Sequence, residues 1–312
     1  MDGVVVIDKP EGWTSHDVVA RARRVLRVKR VGHTGTLDPF ATGVLVLLVG
    51  RATRLAQFLS GAEKEYEAVV RLGYATDTGD LTGARRGGAG GPDCATLDRA
   101  RAEAALAPLR GEIEQVPPMY SAKKIQGRKL YELARRGEEV ERAAVRVRVA
   151  ELEIMEGAGG EFLRANGDGT CDLRVRVACS AGTYVRALAE SIGENLGTGA
   201  HLAALRRTRA GAFGLEKAST LEALQQPGDS GGADFLLPLE EALPELPSLH
   251  LTAEEARRVA HGAAVGAARF AAGWEDGARV RLHDERGRLL AVGVYAAERG
   301  VVQPRVTLAA EK

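Results

Sequence analysis

The chain has 312 residues, with 43 Lys and Arg against 42 Asp and Glu and only three cysteines. That length holds a large core and predicts two domains, and the near-neutral balance excludes a uniformly basic coat, so contacts to phosphates would come from local clusters. The longest apolar stretch, Val44 to Val49, is far short of the roughly 20 residues that cross a bilayer. The start reaches Asp8 and Lys9 too soon for a signal peptide, and three widely spaced cysteines argue against a disulfide framework and a zinc site, so a reducing cytoplasm is the expectation.

In chain order, Gly3 to Asp8 is an apolar run ending in a charge and predicts a strand. Thr14 and Ser15 cap a helix to about Val28, with Val18, Val19, Ala22, Val25 and Leu26 on one face. A Gly/Thr/Pro-rich loop, Gly32 to Gly43, flows into Val44 to Val49. From Lys64 to Gly73 the pattern alternates, which puts Tyr66, Ala68, Val70 and Leu72 on the core side of a half-buried strand. Gly83 to Pro92 reads as a flexible surface loop and Leu97 to Leu109 as a helix. Lys129 to Arg136 predicts a short basic helix closed by Gly137. Val145 to Met155 and Cys171 to Cys179 alternate as strands, with a turn at Asn166 to Gly169 between them. Thr183 caps a helix whose core face is Val185, Leu188, Ala189, Ile192 and Leu196. Gln226 to Ala233 reads as a mobile loop and Pro244 to Ser248 as a domain boundary. Beyond it, a helix from Thr252 to Ala260 and strands at Arg279 to His283, Leu289 to Val294 and Val301 to Leu308 form a β-rich module of about 65 residues.

The cations are unevenly spread. Eight Arg and Lys stand against two acids between Ser15 and Arg54, and six against one between Ser121 and Arg136. Arg206, Arg207 and Arg209 form a third cluster without an acid. Such clusters track phosphates, although any one of them taken alone is an ordinary solvated face.

Four groups carry candidate chemistry. In Gly32 to Gly43, Pro39 disfavours helix at Asp38, so that carboxylate is presented from turned backbone between apolar Leu37 and Phe40. An arbitrary Asp-Pro pair more often only stabilises a turn. In Cys179 to Arg186, Arg186 falls in a helix first turn, where the dipole opposes a cation and asks for an anion beside it. Pro117 to Lys124, followed by Gly127, Leu130 and Tyr131, mixes aromatics with cations, the pairing that stacks bases and holds phosphates. The fourth is Tyr66, by default a core-edge tyrosine. Asp77-Thr78-Gly79 has the tripeptide of an aspartic protease, but no second copy exists to share a proton.

Together and in this order these groups resemble the bacterial tRNA pseudouridine-55 synthase family. Gly3 to Pro10, with Gly12 and Thr14-Ser15, is similar to the family's first motif and includes Lys9. Gly32 to Gly43 is similar to its signature loop, Lys64-Glu65-Tyr66 to the strand whose tyrosine packs on the target base, and Leu205-Arg206-Arg207 to the final motif. Cys179 to Arg186, which includes Tyr184, is similar to the motif whose arginine pairs with the catalytic aspartate. Ala181 stands where a lysine is common, and Gly87 to Gly91 looks like a local insertion.

The resemblance implies an α+β fold: a mixed, largely antiparallel pseudouridine-synthase sheet flanked by helices over residues 1–246, and a PUA-like RNA-binding module over 247–312. It implies Asp38 as catalytic carboxylate, Arg186 as its ion-pair partner, and Tyr66 stacked on a flipped-out uridine. His33 would wedge into the vacated space, with Lys9, Tyr184, Leu205, Lys123 and Lys124 as further substrate contacts. The implied partner is the T-arm of tRNA, with no cofactor, no metal and no protein partner, acting as a monomer. A pure RNA-binding protein, or a synthase aimed at ribosomal or guide-directed sites, are the competing readings.

Overall fold

The computed structural model describes residues 1–86, 93–121, 123–125, 127–134, 136–138, 140–157, 159–226, 232–267 and 273–308. The proposed insertion at 87–91 and most of the 226–233 loop lie outside the described residues. Among them, no helix is long and apolar enough to cross a membrane.

An eleven-stranded sheet organises the first 226 residues. Its main path runs Ser219–Thr220, Gly3–Lys9, Thr42–Val49, Ala200–Ala210, Lys64–Leu72, Cys171–Cys179, Val145–Ile154, Gly111–Gln115. Two pairings are parallel, Ser219–Thr220 with Gly3–Lys9 and Ala200–Ala210 with Thr42–Val49; the others along this path are antiparallel.

The first strands read as continuous apolar runs because both sheet faces are covered. Val5, Ile7, Leu45 and Leu47 point into one core with the helices Ser15–Leu26 and Val185–Leu196. Val4, Val6, Val44, Val46 and Leu48 point into a second core that includes Leu289, Val292, Val306 and Leu308. That second core joins the large sheet to a five-stranded one, ordered Ser248–His250, Arg279–His283, Leu289–Ala296, Val301–Thr307, Val265–Gly266. Arg54 donates to Thr307 O at 2.8 Å and Arg51 to Leu308 O across the same junction.

Local signals hold at several ends. Thr14 caps its helix in a reciprocal box with Asp17, and Thr252 does the same with Glu255 for Ala253–Ala260. Other expectations are corrected. The Val185–Leu196 helix has Tyr184, not Thr183, at its N-cap, and no side-chain cap bond. The Ala200–Ala210 strand has no counterpart in the sequence reading, which treats its arginines as a basic patch. Arg206 instead pairs with Asp8 at 2.7 Å, Arg209 with Glu65 at 2.6 Å, and Arg207 is buried. Cys94 and Cys171, separated by 77 residues, form a disulfide with Cα atoms 6.0 Å apart, against the sequence expectation of none. Cys179 is free and buried.

Candidate active site

The site lies where the Ala200–Ala210 strand runs between its two neighbours. Arg207 is in register with Gly43 on one side and Tyr66 on the other, so loop, cation and aromatic converge on one spot. Gly43 has φ +98°, and a Cβ there would collide with the Arg207 carbonyl, which makes glycine the residue that fits.

The Gly32 to Gly43 loop is pinned from several directions. Leu37 and Phe40 are buried on either side of Asp38. Ser15 Oγ receives the Leu37 N–H at 2.9 Å and donates to Leu37 O at 3.2 Å. Arg207 Nε donates to Val44 O at 2.6 Å and its Nη2 to Gly35 O at 3.1 Å. Lys9 is fully buried, with Nζ donating to Pro10 O, Trp13 O and Pro39 O. Its ammonium anchors the loop from beneath and does not line the cavity, where the resemblance implies a substrate contact.

Arg186 supplies the other half. Nε meets Asp38 Oδ2 at 2.9 Å and Nη2 meets Oδ1 at 3.2 Å, a two-point grip on one carboxylate. The anion that a first-turn cation asks for is therefore Asp38. Arg186 Nη1 also donates to Thr78 O at 2.8 Å, and Nη2 to Tyr120 O at 2.6 Å. Asp80, also buried, lies 3.9 Å from Nη1. The segment read only as a protease decoy is thus the mount for this arginine. Gly79, at φ +73°, lets the turn pass close to the Arg186 side chain.

A cavity of about 270 Å³ opens beside this pair, lined by Asp38, Lys64, Tyr66, Ser121, Thr183, Tyr184, Arg186, Leu205 and Arg207 among others. Of the expected site residues it gathers Asp38, Tyr66, Arg186, Tyr184 and Leu205. His33 lies outside that lining, half-buried, with its ring edge-on to His16 at 5.7 Å. Lys123 is also outside it, and the Lys124 side chain is outside the described residues. Lys64, Asp80 and Ser121 are site residues to which the sequence assigned no role, and Arg207 was read there as one of a phosphate-tracking cluster. The signal for Lys64 was its burial beside Tyr66 on an alternating strand.

Electrostatics set the protonation states. Burial pushes the Asp38 carboxyl above its ordinary range; Arg186 opposes this without overcoming it, and Asp80 adds to it. An ion-pair partner alone would lower that pKa, and here desolvation wins. Burial likewise brings the Lys64 ammonium down to about 8, with Arg207 adding to the shift. Burial raises the Tyr66 hydroxyl, so it is neutral at pH 7, and the adjacent Arg207 guanidinium resists that rise. The cavity therefore brings together the Asp38 carboxyl, a neutral phenol and the cations Lys64, Arg186 and Arg207.

Residues 23–185 match the model described as TruB family pseudouridylate synthase (N terminal domain). Residues 186–244 match tRNA pseudouridylate synthase B C-terminal domain, and residues 247–308 match Pseudouridine synthase II TruB, C-terminal. A tRNA pseudouridine synthase B from Geobacillus thermodenitrificans is 45% identical over 312 residues, covering 97% of this chain and 98% of that protein. One from Ralstonia nicotianae is 44% identical over 308 residues, covering 97% and 92%. Among solved structures, that of the archaeal box H/ACA sRNP Nop10-Cbf5 complex aligns with a TM-score of 0.69 at 29% identity, covering 98% of this chain and 86% of that one.

Proposed function

The chain belongs to the TruB family of pseudouridylate synthases, and from that premise we propose that it isomerises uridine 55 in the T-loop of tRNA, with Asp38 as the catalytic carboxylate. The observation that carries this reading is the two-point grip of Arg186 on Asp38 at the wall of a cavity shared with Tyr66.

The reaction breaks the bond from C1′ to N1 of uracil and makes one from C1′ to C5. A proton leaves C5 and one is gained at N1, so product and substrate are isomers. No electron or group is imported, and the chemistry needs no cofactor. Cleavage develops positive charge on the ribose, and an ionised carboxylate beside it stabilises that charge, traps it covalently or accepts a sugar proton. Asp38 serves any of these routes, and Arg186 keeps it oriented.

A stacked base is out of reach, so the uridine must turn out of the RNA and into the cavity. Tyr66 then stacks on the ring, and its neutral hydroxyl beside Arg207 assists the proton leaving C5 as a relay, passing its own proton on to solvent as it takes that one. Residues 1–246 form the catalytic domain on this reading, with the 115–143 segment closing over the RNA arm, and 247–312 form the PUA-like module. The protein acts as a monomer on tRNA in the cytoplasm.

The test is tritium release from an unmodified tRNA transcript carrying C5-tritiated uridine. Wild type releases one equivalent from the T-loop uridine, and Asp38→Asn releases none while still binding the RNA. A pure RNA-binding protein gives no release from either. Release traced to another uridine would redirect the site specificity.

A further inference from the structure

Ser121 is the cavity residue whose polar atom is left without a use. It is 5% exposed and lines the 270 Å³ cavity, yet its Oγ is shut off from solvent with no hydrogen-bond partner among the described residues. Thr183 Oγ1 also lacks a nitrogen or oxygen partner, but it lies against the Cys179 thiol. Leaving a buried hydroxyl unpaired is unfavourable, and native structures rarely do so without a reason.

The position narrows what would fill that vacancy. Lys64, Tyr66, Leu205 and Arg207 come from adjacent strands and make the sheet wall of the cavity. Ser121 comes from a loop and directly follows Tyr120, whose carbonyl holds Arg186 Nη2 at 2.6 Å, and Arg186 in turn holds Asp38. Ser121 is thus joined through its chain neighbour to the arginine that holds the carboxylate, and it comes from outside the sheet that carries the aromatic platform. Resting on the synthase reading above, in which the base stacks on Tyr66 and the ribose meets Asp38, we infer that Ser121 Oγ, turned into the cavity by rotation about χ1, hydrogen-bonds the 2′-hydroxyl of the flipped-out uridine. A 2′-hydroxyl is the group that distinguishes RNA from DNA at a given site.

The experiment compares binding of the full chain to T-arm RNAs carrying uridine or 2′-deoxyuridine at the target position, in the Asp38→Asn background to prevent turnover. The parent favours the ribose by about three- to tenfold, the range of one net hydrogen bond. Adding Ser121→Ala abolishes the preference. Melting temperature in the wild-type background is unchanged or slightly higher, because the methyl group replaces a stranded hydroxyl. Equal weakening on both RNAs overturns the inference, since the contact is then to the base or the backbone. A preserved preference, or a fall in melting temperature, overturns it as well. Tritium release by wild-type protein, recorded alongside, separates failure of the synthase reading from failure of this contact.

Discussion

Arg186 meets both oxygens of Asp38, at 2.9 and 3.2 Å, and burial still carries that carboxyl above its ordinary range. Desolvation and the guanidinium act on this carboxyl in opposite directions, and desolvation prevails. If the carboxylate form is the active one, protonation removes activity, so kcat/KM falls as pH drops through the raised pKa. The acid limb of the profile therefore lies above 3.8, the ordinary value for this group. A limb at or below that value would contradict the role given to burial.

Arg186→Met takes the cation away from the buried Asp80 and from Asp38, whose side chain is 32% exposed. Breaking a fully buried pair from one side costs about 3–5 kcal/mol, and solvent reaching Asp38 lowers the loss to about 1–3 kcal/mol. Chemical denaturation should show a loss of that order, and turnover should fall on the order of a hundredfold or more. Arg186→Lys keeps the charge but not the two-point geometry, and should recover stability better than activity.

Asp80 offers a cleaner separation of charge from shape. Its Oδ1 receives Thr78 Oγ1, Thr82 N and Thr82 Oγ1 at 2.6 to 2.9 Å, which shapes the turn presenting Thr78 O to Arg186. Its charge also helps raise the Asp38 pKa. In Asp80→Asn the Asp38 pKa drops, so the acid limb of kcat/KM moves to lower pH, while kcat falls through the loosened turn. A limb that stays put or moves upward would show that Asp80 does not act on Asp38 through its charge.

The loop and its carboxylate were legible in the sequence because their constraints are local: Pro39 restricts Asp38, and Leu37 and Phe40 need burial on either side. The Ala200–Ala210 strand was not, because long-range register defines it. Arg206 and Arg209 reach acids on two other strands, Asp8 and Glu65, and Arg207 turns inward between them. Three arginines in four residues look basic until those partners are placed. The Cys94–Cys171 disulfide, 77 residues apart in sequence, was hidden for the same reason. Asp80 sat one residue beyond a tripeptide weighed for a different chemistry, and only the fold brings it to Arg186.

Gly43→Ala tests whether the loop and the central strand act as one unit. The position needs φ +98°, and its Cβ would strike the Arg207 backbone. A side chain at such a φ destabilises by more than about 1 kcal/mol, and the collision adds roughly 1–3 kcal/mol. Because Arg207 also holds Gly35 and Val44, relief of the clash drags the Asp38 loop with it. Activity should therefore fall further than the melting temperature alone accounts for, as read by turnover measured well below the melting transition. A variant that is destabilised but fully active per folded molecule would uncouple the loop from the strand.

Lys64 predicts the alkaline side. Its folded pKa of about 8 lies below the ordinary 10.5. Between those values the unfolded chain binds more protons than the folded one, so this group makes stability rise with pH across that window. The charge in the cavity is lost over the lower part of the same window. If the ammonium helps hold the negative charge that builds on the detached uracil, kcat/KM declines above pH 8 although the contribution of Lys64 to stability rises. Lys64→Met should already be low at pH 7 and show a shallower decline from pH 7 to 9, the remainder belonging to Lys9, whose ammonium burial also brings down to about 8 under the Asp38 loop. Tyr66 cannot mimic this limb, because burial raises its hydroxyl above the ordinary 10.0. A wild-type profile that is flat to pH 9, or a Lys64→Met variant that keeps the limb in full, would remove Lys64 from the chemistry and leave it as a support for the Ser60 and Ala62 carbonyls, to which its Nζ donates at 2.8 and 2.6 Å.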